Sequence, residues 1–266
     1  MTALGSLHSP ANKTRSSPMT VPLLGLPFAD LTVAAAASRI AERPPDAPFG
    51  YVVTPNADHL VRLSRKPVLA PIYQDAALCL LDSRVVSRLA RLFGLPTPRV
   101  VPGSDLTEHV LTHHLRPGER ITIVGLSPVW MPALVARYGL ASPAHYDPPM
   151  RFETEPAAFA AAVAFVRDNP TRLVFLAVGS PRQEILAAAI AASGDATGTG
   201  LCVGASLEFL AGARRRAPRF IQRMGLEWLF RLAANPRRLF RRYLIDSPRI
   251  IALLLKQRPT ERSRRV

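Results

Sequence analysis

The sequence predicts an α/β fold: a Rossmann-like, mostly parallel sheet flanked by helices, with a basic helical appendage at its C-terminal end. Three observations predict it. Five short apolar runs alternate with longer segments of helical periodicity, the pattern of a parallel sheet covered on both faces. The 266 residues are 48% hydrophobic, enough to bury a sizeable core. The charge is uneven, because Arg214 to Val266 carry 16 Arg or Lys against three acidic residues of the chain's +15 balance. A basic block attached to a nearly neutral body points to one located anionic partner rather than to diffuse binding.

Residues 1–20, rich in Ser, Thr and Pro, read as a disordered leader. The following stretch "VPLLGLPF" is short, broken by proline and without a cleavage-site pattern, so no signal peptide is expected. No apolar run approaches the roughly 20 residues of a transmembrane helix, so any membrane contact should be peripheral. Cys79 and Cys202 sit inside apolar runs and read as core residues of a reducing compartment.

The predicted strands are 49–54, 77–81, 121–126, 172–178 and 200–205, each an apolar run bounded by turn residues. Helices are expected over 57–65, 84–93, 104–115, 128–138, 155–168 and 182–192. From residue 214 the pattern becomes basic, helical and strandless. The chain therefore divides into a disordered 1–20, an α/β body over 21–213, an amphipathic appendage over 214–255 and a basic disordered tail over 256–266.

Parallel sheets bind ligands beyond the carboxyl ends of their strands, so the residues just after each strand are the candidates. Thr54 and Asn56 follow the first, where a hydroxyl and a carboxamide suit a polar ligand, though both are ordinary turn and cap residues. His59 reads as a helix-surface residue. Asp82 follows the second strand and reads either as a general base or as the cap of the next helix. Arg99, ahead of "GSDL", could reach a phosphate. "VGSPRQE" brings a small-residue turn to a helix N-terminus carrying Gln183 and Glu184, a ready place for phosphate or nucleotide groups. Glu208 in "GASLEFLAG" could accept from a base imide or a ribose hydroxyl, or serve as a cap. There is no dinucleotide fingerprint, no P-loop and no metal-ligand spacing.

In the tail, "NPRRLFRRYL" places Arg237, Arg238, Arg241 and Arg242 on one helical arc and Leu239, Phe240, Tyr243 and Leu244 on the opposite one. Pro236 suits a first helical position and Asn235 its cap. Nucleic acid, a membrane surface and a diphosphate are all anions that such a helix could meet.

Taken in order, Thr-x-Asn, the Asp 28 residues later, "GSDL", "VGSPRQE", "GASLEFLAG" and "RRAPRFIQRMGLEWLFRLAANPRRLFRRYL" resemble the WecG/TagA/CpsF family of bacterial glycosyltransferases over roughly residues 50–250. The resemblance implies a GT-E-type architecture and an inverting transfer from a UDP-sugar to a polyprenyl-diphosphate-linked saccharide in cell-envelope or exopolysaccharide synthesis. It implies work at the cytoplasmic face of the membrane, with no cofactor and no essential metal. Position by position, Asp82 matches the proposed base, and Thr54 and Asn56 match the pocket beside it. Arg99 matches the basic residue before Gly-x-Asp-Leu, Gln183 the glutamine of the sugar-nucleotide site, and Glu208 the acidic residue near the uracil. The tail arginines match an appendage that contacts diphosphate and membrane. Two departures stand out: Ser83 and Arg84 follow Asp82 where the family often has glycine, and "GLSPVWM" lacks a second glycine. The alternative from another class is a nucleic-acid-binding α/β protein using the same tail, although no stacking platform accompanies it. The apolar faces over 224–244 suit a subunit contact as well as lipid, so a homo-oligomer stays open.

Overall fold

The computed structural model describes residues 18–257, apart from 214–216, 219, 222–223, 225, 235 and 241–247. Its centre is a six-stranded, all-parallel sheet of β3 (Gly50–Val53), β4 (Leu78–Cys79), β5 (Thr122–Gly125), β6 (Ala144–Tyr146), β7 (Leu173–Ala177) and β8 (Thr199–Cys202), in the order β4-β3-β8-β7-β5-β6. The five predicted strands are all present. β6 was not expected, because an edge strand of three residues, "AHY", carries no apolar run.

Alternation along each strand builds two cores. Tyr51, Val53, Val174 and Leu176 face one, with residues of α2 (Ala57–Arg65), α4 (Arg84–Leu92), α7 (Pro156–Asp168) and α8 (Arg182–Ser193). Val52, Leu173 and Phe175 face the other, with α1 (Val33–Ala41), α5 (Gly103–His113), α6 (Met131–Tyr138) and α9 (Ser206–Leu210). Both cysteines are buried and free. The predicted helix over 128–138 begins at Met131, after a 3-10 turn at Pro128–Trp130.

"VPLLGLPF" is part of a hairpin, β1 (Thr20–Leu23) and β2 (Leu26–Ala29). Its turn residues Leu24 and Gly25 have φ of 49° and 78°, the doubly left-handed geometry that matches strand twist. Thr20 thus belongs to β1 and not to a disordered leader; residues 1–17 lie outside the described residues.

The described C-terminal residues are helical or connecting: α10 (Glu227–Ala234), α11 (Pro236–Phe240) and α12 (Arg249–Gln257). α12 packs on α2 and α4 (α3, Ala70–Gln74, lies between those two in the chain). Ile250 and Leu254, one turn apart, enter the first core at 2% and 0% exposure. Gln257 Oε1 accepts the Leu24 N–H at 2.8 Å, tying the end of α12 to the hairpin turn. Lys256 and Gln257 are therefore helical, against the expectation of a disordered tail from 256; residues 258–266 lie outside the described residues. Arg88 of α4 donates to the Met224 carbonyl, a second tie between the basic block and the body. No helix among the described residues is long and apolar enough to cross a membrane.

Candidate active site

The sheet's ladder continues past the formal ends of β3 and β4. Leu80 N–H donates to the Val53 carbonyl at 2.9 Å, and Asp82 N–H to the Pro55 carbonyl at 3.0 Å. On the outer side Val101 N–H donates to the Leu81 carbonyl at 2.8 Å, beside the parallel bridge of Leu81 with Val100. The chain then turns at Pro102 into α5, whose first residue is Gly103. A Cβ built on Gly103 would lie 2.8 Å from Thr54 Oγ1 and 3.5 Å from Asp82 Oδ2. Three separate segments thus bring the Thr54 hydroxyl, the Asp82 carboxylate and the start of α5 to one point. Glycine is required there by proximity, since its backbone is not left-handed.

The capping role of Asp82 is taken by its neighbour. Ser83 is the N-cap of α4, and its Oγ accepts the Val86 N–H at 3.2 Å. Asn56 does cap α2, with Oδ1 accepting the Asp58 N–H at 3.1 Å. The N-cap positions of α5 and α8 are Pro102 and Pro181, neither of which supplies a side-chain cap.

A second cluster adjoins the first through Asn56. His59 is buried at 7% exposure, which corrects the expectation of a helix-surface residue. The reason is α2's orientation: His59, Leu60 and Leu63 all face inward. His59 Nδ1 lies 2.8 Å from Asn56 Oδ1, and Nε2 lies 3.6 Å from Glu184 Oε1. Glu184 is 2% exposed, and its Oε1 accepts from Gln183 Nε2 at 2.9 Å. Gln183 Oε1 in turn accepts the Gly204 N–H at 2.8 Å, which joins the cluster to the exit of β8. Burial pushes the Glu184 carboxyl up, but His59 and the Gln183 amide outweigh it and hold the group below the ordinary carboxylate range. Alongside, Arg62 donates to Ser180 Oγ and to Asp58 Oδ2, each at 2.7 Å.

The family described as "Glycosyl transferase WecG/TagA/CpsF family" matches residues 21–264. The chain belongs to that family.

Within this WecG/TagA/CpsF member the remaining predicted residues are spread more widely. Arg99 is engaged with Asp30. Its N–H donates to Asp30 Oδ1 at 2.9 Å, its Nε lies 3.9 Å from the same oxygen, and its side chain is 63% exposed. Glu208 stands in the first turn of α9, half-buried, with Oε2 shielded from solvent. Pro236 opens α11 as expected, and Arg237 is exposed on it, as is Phe240 at 54%. Arg238 shares that helix, while Asn235, Arg241, Arg242, Tyr243 and Leu244 lie outside the described residues.

Sequence reasoning missed that His59 and Arg62 join this cluster, and named Glu184 only as the companion of Gln183 on the helix after Pro181. One signal was available: Asn56-x-x-His59 spans the N-cap and N3 positions, the spacing of a reciprocal cap. Among the described residues no group of three or more His, Cys, Asp or Glu side chains could hold a metal ion.

Proposed function

We propose that this glycosyltransferase moves a sugar from a UDP-sugar to a polyprenyl-diphosphate-linked saccharide, with inversion, and that Asp82 is the general base. The observation that carries this reading is the meeting of Thr54 Oγ1, Asp82 Oδ2 and Gly103 at the carboxyl edge of the sheet. Ser83, not Asp82, caps α4, and Asp82 Oδ2 lies at the point where Thr54 and Gly103 meet. In the reaction, the acceptor hydroxyl oxygen attacks C1 of the donor sugar while Asp82 takes its proton. The bond from C1 to the diphosphate oxygen breaks, and UDP leaves with the electron pair.

The developing charge on UDP needs stabilisation. The N-termini of α5 and α8, which lack side-chain caps, suit that task, and Thr54 and Asn56 add polar groups beside them. Gln183 and Glu208 line the exit of β8, on the proposed nucleotide side. Arg237, Arg238, Arg241 and Arg242 would meet the acceptor diphosphate at the inner face of the membrane. No cofactor or metal is required by this scheme.

The test is a panel of UDP-sugars and short lipid-diphosphate saccharides, with product followed by mass spectrometry and UDP binding by calorimetry. Asp82→Asn should lower transfer at least about a hundredfold while UDP still binds. Full transfer by that variant would exclude Asp82 as the base, and no binding of any uridine nucleotide by the native protein would exclude the donor class.

A further inference from the structure

Glu184 is 2% exposed, and its Oε2 has no hydrogen-bond partner among the described residues. A buried carboxylate with one oxygen unmatched is costly, so its retention calls for a task. Its contacts show which. Oε1 accepts from Gln183 Nε2 at 2.9 Å, which leaves Gln183 Oε1 to accept the Gly204 N–H at 2.8 Å. An ionised carboxylate only accepts, so the Gln183 amide is held in one of its two orientations.

The same logic runs through His59. Asn56 Oδ1 already accepts the Asp58 N–H at 3.1 Å, and His59 Nδ1 sits 2.8 Å from that oxygen. The Asn56 N–H also approaches Nδ1, at 3.3 Å. One ring nitrogen cannot donate and accept at once, and a lone pair 2.8 Å from an oxygen would repel it. The shorter contact therefore makes Nδ1 the donor, and because Nε2 faces the acceptor-only Glu184 carboxylate at 3.6 Å, this arrangement places a proton on each ring nitrogen. With Oδ1 engaged twice, both Nδ2 hydrogens of Asn56 are unclaimed among the described residues, on a half-buried side chain two positions from Thr54.

We propose that Glu184 is a positioning residue that, through His59, locks Asn56 as a hydrogen-bond donor to an acceptor atom of the bound nucleotide sugar, such as a phosphate or carbonyl oxygen. The inference rests on the donor class proposed above. A carboxylate enforces this polarity, whereas an amide at position 184 could donate as well as accept. Replacing Glu184 by glutamine would keep the volume and let His59 and both carboxamides turn over.

A double-mutant cycle on UDP binding tests it, using the full chain and Asn56→Ala, Glu184→Gln and their combination. Each single change should weaken UDP binding about tenfold, the scale of one lost hydrogen bond. The combined variant should bind no worse than Asn56→Ala alone, because Glu184 acts through Asn56. Losses that multiply to about a hundredfold would overturn the proposal, since a merely structural role would give that result. His59→Gln provides the same cycle if Glu184→Gln fails to fold. A second arm needs no nucleotide: in protein labelled with 15N-histidine and 15N-asparagine, His59 should carry protons on both Nδ1 and Nε2, and Glu184→Gln should shift the Asn56 side-chain amide signals. An unprotonated Nδ1, or Asn56 signals unmoved by Glu184→Gln, would overturn it. Failure of the native protein to bind UDP would instead remove the donor reading, leaving this second arm to decide.

Discussion

Gly103 backs onto Thr54 so closely that any side chain at 103 would displace the hydroxyl: a Cβ would stand 2.8 Å from Thr54 Oγ1. The neighbour that must give is short and β-branched, with few rotamers to retreat into. Asp82 Oδ2, 3.5 Å from the same point, is in ordinary contact. Gly103→Ala should therefore cost only about 1 kcal/mol of stability, as a mild overpacking, yet lower transfer at least about tenfold. Denaturant melts alongside transfer kinetics would check this. A variant with native activity would mean that Thr54 can move without consequence.

Ser83 rather than Asp82 closes the N-terminus of α4, with its Oγ 3.2 Å from the Val86 N–H. Ser83→Ala should lower stability by about 1 kcal/mol, and Ser83→Asp should restore most of it. Urea unfolding of the three proteins gives the comparison. If Ser83→Ala is neutral, another group supplies the cap.

At the opposite end of the sheet, Arg172 binds Glu119 through two contacts of 2.6 Å, with the arginine side chain only 4% exposed. Arg172 also donates to the carbonyls of Ala41 and His114, clamping α1 and α5 beside β7. Burial pushes the Glu119 carboxyl up, but Arg172 and the Arg116 N–H outweigh it and depress the group below its ordinary value. A depressed carboxyl contributes stability above its unfolded value near 4.5 and loses it as pH falls through the folded one. Glu119→Gln should flatten that acid-side decline and cost about 3 kcal/mol at neutral pH, because the Arg172 charge is left buried. Thermal melts across pH 3 to 7 (about four units, spanning the carboxylate range) are the measurement. An unchanged acid limb in the variant would show that Glu119 does not carry it.

α12 is held by Ile250 and Leu254, both inside the core beside α2 and α4. Leu254→Ala should weaken its docking by about 3 kcal/mol. The Leu24 N–H, paired with Gln257 Oε1, should then exchange faster than the amides of β7. Hydrogen exchange with limited proteolysis reads this directly. Uniform loss of protection would mean that α12 unfolds only with the whole body.

Much of this was legible in the chain itself. Apolar runs separated by helical periodicity located β3, β5, β7 and β8 and the helices between them, because strands buried on both faces must be continuously apolar. The rule that ligands sit beyond strand ends led to Thr54, Asn56, Asp82 and Gln183, and the ordered motifs led to the family. The basic and helical character of the appendage was equally plain from charge and periodicity.

Other features were decided only by tertiary structure. β6 pairs at an edge where three mixed residues suffice, and the β1–β2 hairpin depends on a turn at Leu24 and Gly25 rather than on composition. Whether Asp82 or Ser83 caps α4 depended on backbone geometry at one residue. The placement of Arg99 against Asp30, 69 positions away in the chain, could not follow from local spacing. Nor could the link from Asn56 through His59 to Glu184, which joins α2 to α8. Local sequence encodes the period of burial and the end of each element. Which polar groups then face one another depends on how the ends of distant strands are brought side by side, and only the folded sheet sets that.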